Sequence, residues 1–357
     1  MLSSVYKGGI CSKSNTFELV KKLRLILWPF AVVYDGITRV RNLCFEKGIF
    51  QEQTYDFPVI GVGNLSVGGT GKTPVIEYLV RLLQDHYKIA TLSRGYGRKT
   101  KGYLDVAPEN SAAEVGDEPL QFARKFNRIQ VAVCEKRRLG IERLRQKKRA
   151  PEVVLLDDVY QHRYVKPGFL IMLTAYTDLF YTDFVLPAGN LRESNSGAAR
   201  ADLVVVTKCP LDLPESDRIK IKERISRYSE APVYFSSIAY GLPTDATGEV
   251  EWQLLKDQKI NVVTGIAKPK PFLDYLDQMG LNYEHLEFDD HHTFSSTELE
   301  LLDGKNKILT TEKDYVRLQG KLKQTQLFYL PIAVQFLSGA ADFDKKILKF
   351  TEDYSRT

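Results

Sequence analysis

Cysteine is scarce and scattered in this 357-residue chain. Cys11, Cys44, Cys134 and Cys209 stand far apart, with no spacing that would hold a metal or form a redox pair. That pattern excludes a zinc ribbon or a dithiol enzyme and fits a reducing cytoplasm. Long apolar runs are missing too: the uninterrupted stretch from Leu25 to Tyr34 is too short to cross a bilayer as a helix. No internal repeat or low-complexity tract is present. Residues 1–15 lack the ordered basic, apolar and small-residue regions of a secretory signal and read as a loose tail. Neither sign of charge dominates, since 50 basic and 45 acidic residues leave a formal net charge of +5. The basic residues cluster rather than spread, so this balance points only weakly to anionic partners and not to nucleic acid.

What is present is organised around residues 58–74. An apolar run of β type, Pro58–Gly63, leads into Asn64-Leu65-Ser66-Val67-Gly68-Gly69-Thr70-Gly71-Lys72-Thr73, and a helical pattern follows from Pro74. This reads as a phosphate cradle for ATP. Glycines turn successive backbone N–H groups toward an anion, and the helix start adds its unpaired donors and positive dipole end. Lys72 is placed to reach the outer phosphates, and the Thr73 hydroxyl to take Mg²⁺. The strict pattern has glycine where Ser66 stands, so Gly68 and Gly69 supply the backbone freedom here.

At this length two domains are expected. Strands alternate with helical patterns from Pro58 to about Tyr240, which predicts an α/β fold: a mostly parallel sheet covered on both faces, with ligands at the strands' carboxyl ends. Residues 51–240 form this unit, Gly241–Gln258 reads as a linker rich in turn residues, and residues 259–357 start a second, smaller alternating unit. Ahead of both, residues 16–50 hold an apolar, aromatic segment flanked by Lys21, Lys22, Arg39 and Arg41. At this length, a helix packed on the core and one lying in a membrane interface look alike.

Several side chains are candidates for chemistry. Glu152–Asp158 is a buried strand ending in two carboxylates; Asp157 and Asp158 stand where phosphate-loop enzymes keep the acid that holds Mg²⁺. Arg94 and Arg98 lie in a glycine-punctuated loop and Arg192 in another with Glu193; guanidinium groups grip phosphate oxygens bidentately. Asp117, near a helix start, is placed either to cap that helix or to act in chemistry. His162 suits a structural hydrogen bond as well as a catalytic task. Of the pair His291-His292 beside Asp289 and Asp290, one histidine is expected to work on a proton or pair with a carboxylate, because no further metal ligands lie at usable spacing. The basic helix from Lys136 to Arg149 is a solvated face or an extension of an anionic-lipid surface.

Taken together, these blocks resemble the tetraacyldisaccharide 4'-kinases, the lipid A 4'-kinases of Gram-negative bacteria. The resemblance rests on residues 62–74, Ser93-Arg94-Gly95-Tyr96-Gly97-Arg98, Gly116-Asp117-Glu118-Pro119, Leu156-Asp157-Asp158 with Gln161-His162-Arg163, Leu186–Gly189 with Leu191-Arg192-Glu193, Asp290-His291-His292 and Leu309–Asp314. Ser66 agrees with that family's loop. Val159-Tyr160, Asn190 and Ser194 depart from it, standing where Gly-Phe and prolines are usual. The resemblance implies transfer of the ATP γ-phosphate to the 4'-hydroxyl of an acylated glucosamine disaccharide 1-phosphate, at the cytoplasmic face of the inner membrane. It also implies two α/β/α units joined by a β-type linker. By position it assigns Lys72 and Thr73 to phosphate and Mg²⁺, Asp117 as base paired with His291, and Asp157, Asp158 and Glu193 as acids around metal and substrate. The phosphate loop from Asn64 through Thr73 becomes the ATP site, and the N-terminal apolar segment a contact for membrane lipids and acyl chains.

Two other classes share parts of this pattern. A nucleotide-switch or metallochaperone GTPase would use the same loop, and Val204–Lys208 sits at the strand end where such proteins read guanine. The Asn-Lys-x-Asp sequence is absent, however, with Thr207-Lys208-Cys209-Pro210 in its place. A soluble kinase of small metabolites would need no acyl chains on its acceptor.

Overall fold

The computed structural model describes residues 23–355, so the expected tail and the first part of the apolar segment lie outside the described residues. Among the described residues, thirteen strands fall into two sheets. β1 (Val59–Asn64), β2 (Ile89–Ser93), β4 (Gln130–Val133), β5 (Val153–Asp157), β6 (Phe169–Ala175), β7 (Leu203–Thr207) and β8 (Val233–Tyr240) are parallel neighbours in the order β8-β7-β6-β1-β5-β2-β4. Two antiparallel strands close the edges, β3 (Leu104–Asp105) beside β4 and β13 (Ile332–Phe336) beside β8.

The strands are apolar on both sides because both sides are covered. In β5, Val153 and Leu155 pack on one face with the helix α2 (Lys72–Leu83) and α3 (Asp117–Lys125). Val154 and Leu156 pack on the other with α4 (Arg137–Arg145) and α5 (Glu215–Ile225). This alternation fixes which strand ends line up: Val62 pairs with Asp157, so the phosphate loop leaves β1 beside the two carboxylates that end β5.

The second sheet runs β10-β9-β11-β12, all parallel, from β9 (Ile260–Thr264), β10 (Tyr283–Glu287), β11 (Lys307–Thr311) and β12 (Gln326–Leu330). The helices α6 (Lys270–Gln278), α7 (Ser296–Asp303) and α8 (Glu312–Leu318) accompany it. The link between the sheets is of β type. β8 and β13 pair antiparallel from Ser236–Phe336 to Tyr240–Ile332, and beyond their ends Gly241 N–H donates to Pro331 O (2.9 Å) and a bridge joins Thr244 to Tyr329.

One boundary differs from the sequence reading. The sequence pattern assigns residues 259–357 to the smaller unit, but β13 and the last helix, α9 (Ala340–Ser355), return to the large one. Phe343 and Ile347 of α9 are buried in the same core cluster as Val75, Ile76 and Leu79 of α2. A five-residue apolar strand carries no information about which sheet edge it joins, so periodicity alone could not assign it.

Candidate active site

Gly71 caps α2 with φ of +84°, a conformation that glycine adopts without strain, and Gly68 sits at +107°. Beneath the loop, a Cβ at Gly63 would meet Tyr160 Cβ at 2.7 Å and its backbone N at 2.8 Å, so glycine is what lets β1 pass this close to the chain at residue 160. The cradle is pinned on both sides. Val67 N–H donates to Asn190 O (2.7 Å) and Arg192 N–H to Leu65 O (2.7 Å). From β7, the Thr207 hydroxyl donates to Thr70 O (2.7 Å) and Lys208 Nζ to Gly69 O (2.6 Å).

Lys72 Nζ donates to Asn64 Oδ1 at 3.1 Å and stands 3.4 Å from Asp158 Oδ1. Arg192 Nη1 donates to both Asp158 oxygens at 2.9 and 3.0 Å. Burial works against the Asp158 charge, but Lys72 and Arg192 prevail and hold its carboxyl below the usual range. Asp157 differs. It is buried, and burial and the nearby Glu118 push its carboxyl up to about 7 against the pull of Lys72. Among the described residues its Oδ1 has no hydrogen-bond partner.

Asp117 and His291 come from different units and meet here. His291 Nδ1 lies 3.1 Å from Asp117 Oδ2, and the backbone at His291 has a positive φ of 61°. Lys313 Nζ reaches His291 Nε2 at 2.9 Å. An ammonium can only donate, so with Lys313 on Nε2 the ring proton belongs on Nδ1 facing Asp117; Arg317 Nη2 lies 3.0 Å from the same Nδ1 and gives its N–H to Asp117 Oδ2 instead. Arg317, which sequence reading missed, donates to the same Asp117 oxygen from Nε at 3.0 Å and from Nη2 at 2.5 Å. Burial would raise the Asp117 carboxyl, but the hydrogen bonds from His291 and Arg317 and the Arg317 charge bring it to about 2. Arg317 lies one helical turn past Asp314, within reach of any reading that had carried the Thr311–Asp314 block three residues further.

Two expected site residues are placed otherwise. Arg98 is 3% exposed and donates to Glu135 Oε1 (2.6 Å) and Gly102 O (2.7 Å), locking its own loop instead of facing an acceptor. Arg94 of the same loop is exposed, and among the described residues it makes no hydrogen bond or ion pair. Glu193 has both oxygens engaged: Arg200 at 2.8 Å on each, Asn42 Nδ2 at 2.8 Å and Gln161 Nε2 at 3.1 Å. It therefore ties helix to loop and leaves no oxygen free of protein donors for a metal. His292 turns away from His291 to Glu298, at 3.0 Å. His162 is depressed to about 4, by burial first and then by Arg137, Arg41 and Arg94.

The N-terminal helix α1 spans Trp28–Glu46. Only Ala31 and Phe45 of it are buried, whereas Phe30 (65%), Val33 (62%), Ile37 (64%) and Val40 (62%) face outward. Its other side docks on the site's loops: Tyr34 Oη donates to Arg192 O (2.8 Å), Arg41 Nη2 to Gln161 O (2.9 Å) and Asn42 to Glu193. No described helix is long and apolar enough to cross a membrane.

Comparison with known proteins agrees with this geometry. A family model described as tetraacyldisaccharide-1-P 4'-kinase matches residues 23–352. A tetraacyldisaccharide 4'-kinase of Flavobacterium johnsoniae is 50% identical over 336 residues, covering 93% of this chain and 98% of its own. One from Phocaeicola vulgatus is 41% identical over 355 residues, covering 94% and 97%. Among solved structures, LpxK from Aquifex aeolicus in complex with ATP superposes with a TM-score of 0.75 at 32% identity, covering 92% of this chain and 99% of that one.

Proposed function

The chain belongs to the tetraacyldisaccharide-1-P 4'-kinase family, and on that footing we propose how its own residues carry out the transfer. The protein is an ATP-dependent phosphotransferase acting on a hydroxyl group of a lipid A disaccharide precursor. The acceptor we assign is the 4'-hydroxyl of an acylated glucosamine disaccharide 1-phosphate. The observation that carries the assignment is the meeting of Asp117 and His291, from two sheets, at 3.1 Å, with the phosphate loop beside the strand-end carboxylates of β5.

Phosphoryl transfer through a loose transition state asks for positioning and charge neutralisation more than for covalent chemistry. Backbone N–H groups of the loop, chiefly those of Ser66, Gly68, Gly69 and Gly71, would receive the phosphates, since Val67 N–H already donates to Asn190 O and Thr70 N–H to Gly68 O. Lys72 offsets charge on the outer oxygens. Arg192, held by Asp158 beside Lys72, and the exposed Arg94 would supply cations for the transferred group and the acceptor's own phosphate. Asp117 orients the acceptor hydroxyl and takes its proton. The hydrogen bonds from His291 and Arg317 and the Arg317 charge keep this carboxyl ionised and therefore able to accept.

Mg²⁺ fits the residues present. Asp157 Oδ1 is a buried carboxylate oxygen without a protein donor, and a hard cation held largely by phosphates needs only one or two protein ligands. Asp157 and the Thr73 hydroxyl would hold it, and it would supply positive charge against the phosphates.

The exposed apolar side of α1 supports peripheral attachment to the inner membrane's cytoplasmic face, with its docked side against the loops of the acceptor site. A soluble metabolite kinase would have no use for this face. Incubating the purified protein with [γ-³²P]ATP, Mg²⁺ and an acylated disaccharide 1-phosphate tests the proposal. Label is expected in a bisphosphorylated lipid, at the 4' position, and more slowly from GTP. Equal transfer to a deacylated disaccharide would favour the metabolite-kinase reading.

A further inference from the structure

All donors to Asp117 converge on one of its oxygens. His291 Nδ1 and both Arg317 contacts fall on Oδ2, and no described residue makes a hydrogen bond to Oδ1. Arg317 is itself located by the small unit before Asp117 is considered. Its side chain is 6% exposed, with Nη1 donating to Asp314 Oδ1 at 2.9 Å and to Gly265 O at 3.3 Å. Asp314 is fully buried and receives Gly265 N–H (2.9 Å) and the Thr311 hydroxyl (2.7 Å) on its second oxygen. A planar fork fixed at one end in this way presents its other edge in a single direction.

We infer that Arg317 is a positioning residue for the reaction: it clamps Oδ2 of Asp117, turns Oδ1 toward the acceptor hydroxyl, and makes the carboxylate's alignment depend on the docking of the small unit. The inference rests on the reading of Asp117 as proton acceptor. A carboxylate rotating about its Cβ–Cγ bond offers either oxygen along changing directions, whereas one held through a single oxygen by two donor groups offers the other at a fixed angle. Transfer rates are sensitive to such placement at the scale of an ångström. The docking itself has further support. Lys125 of α3 bridges Glu77 (2.7 Å) and Glu312 (2.5 Å), and Arg124 donates to Val316 O (3.2 Å) and Gln319 (3.0 Å). Removing Arg317 therefore leaves the two units joined while freeing Asp117.

A double-mutant cycle in the full-length protein separates positioning from a merely structural ion pair. Arg317→Gln is expected to lower kcat by about tenfold or more with KM for ATP changed less than about twofold, and Arg317→Lys to recover part of the loss. In an Asp117→Asn background the same Arg317→Gln change is expected to alter kcat by less than about twofold, because there is no carboxylate left to aim. Should Arg317→Gln fail to fold, Arg317→Lys, which keeps a cation opposite Asp314, supplies the same cycle. Equal losses in both backgrounds, or a parental kcat in Arg317→Gln, would overturn the inference alone. A parental rate in Asp117→Asn by itself would overturn the proton-acceptor reading and this inference with it.

Discussion

His291 and Asp117 are separated by 174 residues of sequence and by 3.1 Å in the fold, one from the small unit and one from the large. Lys313 on Nε2 leaves Nδ1 as the ring's donor toward Asp117, with Arg317 Nη2 beside it at 3.0 Å. Replacing His291 by Ala removes one of the donor groups on Asp117 Oδ2. The expected outcome is a kcat lowered by about tenfold with ATP binding unchanged, read from label-transfer kinetics. A variant matching the parent in rate and in pH profile would take His291 out of the site.

Asp157 makes the metal-free protein sensitive to pH in a definite direction. Its folded carboxyl is raised to about 7 from the ordinary range, so the folded state binds this proton more tightly than the unfolded chain does. The buried charge that appears as pH rises through about 7 therefore lowers stability, and the effect fades toward pH 4. Asp157→Asn, uncharged throughout, is expected to raise Tm in EDTA at pH 8 and to do far less at pH 5. The same shift at both pH values would mean that burial of this charge is not what raises the carboxyl.

Arg98 is a stability residue. Its cation is enclosed with Glu135 and the Gly102 carbonyl, and a methionine there would leave Glu135 without its partner. Arg98→Met should lose about 1–3 kcal/mol in urea unfolding, the range for breaking a buried charged hydrogen bond. KM for the acceptor should stay within about twofold; a large rise in that KM with unchanged stability would return Arg98 to the substrate site.

Phe30 and Val33 on α1 touch little of the protein. Changing both to Asp is expected to leave Tm unaltered and to reduce sedimentation with anionic liposomes by about tenfold, since interfacial binding scales with buried apolar area. Undiminished sedimentation would move the membrane contact elsewhere.

Much of this arrangement is legible in the sequence where chemistry is local. The phosphate loop announces itself because strand, glycines, Lys72 and Thr73 are contiguous, and Asp157 and Asp158 because a buried apolar run ends in two acids. Asp117 and His291 are visible as residues but not as a pair by spacing, and it is the resemblance to a known family that joins them. Arg317, Arg98 and Glu193 show where local reading ends. The first looks like an ordinary helix cation, and the other two like site residues, until their partners from distant segments are seen. The position of β13 likewise depends on which edge remains open after eight other strands have paired.

The central claim is that transfer depends on a carboxylate at Asp117 aimed at the acceptor hydroxyl beside a separately formed ATP site. The most direct test is the single-turnover rate of label transfer from [γ-³²P]ATP in Asp117→Ala, with ATP affinity measured in parallel. The account predicts a rate lowered by about a hundredfold or more, the scale of a lost general base, with ATP affinity close to the parent's. A parental rate, or a loss explained entirely by weaker ATP binding, would contradict it.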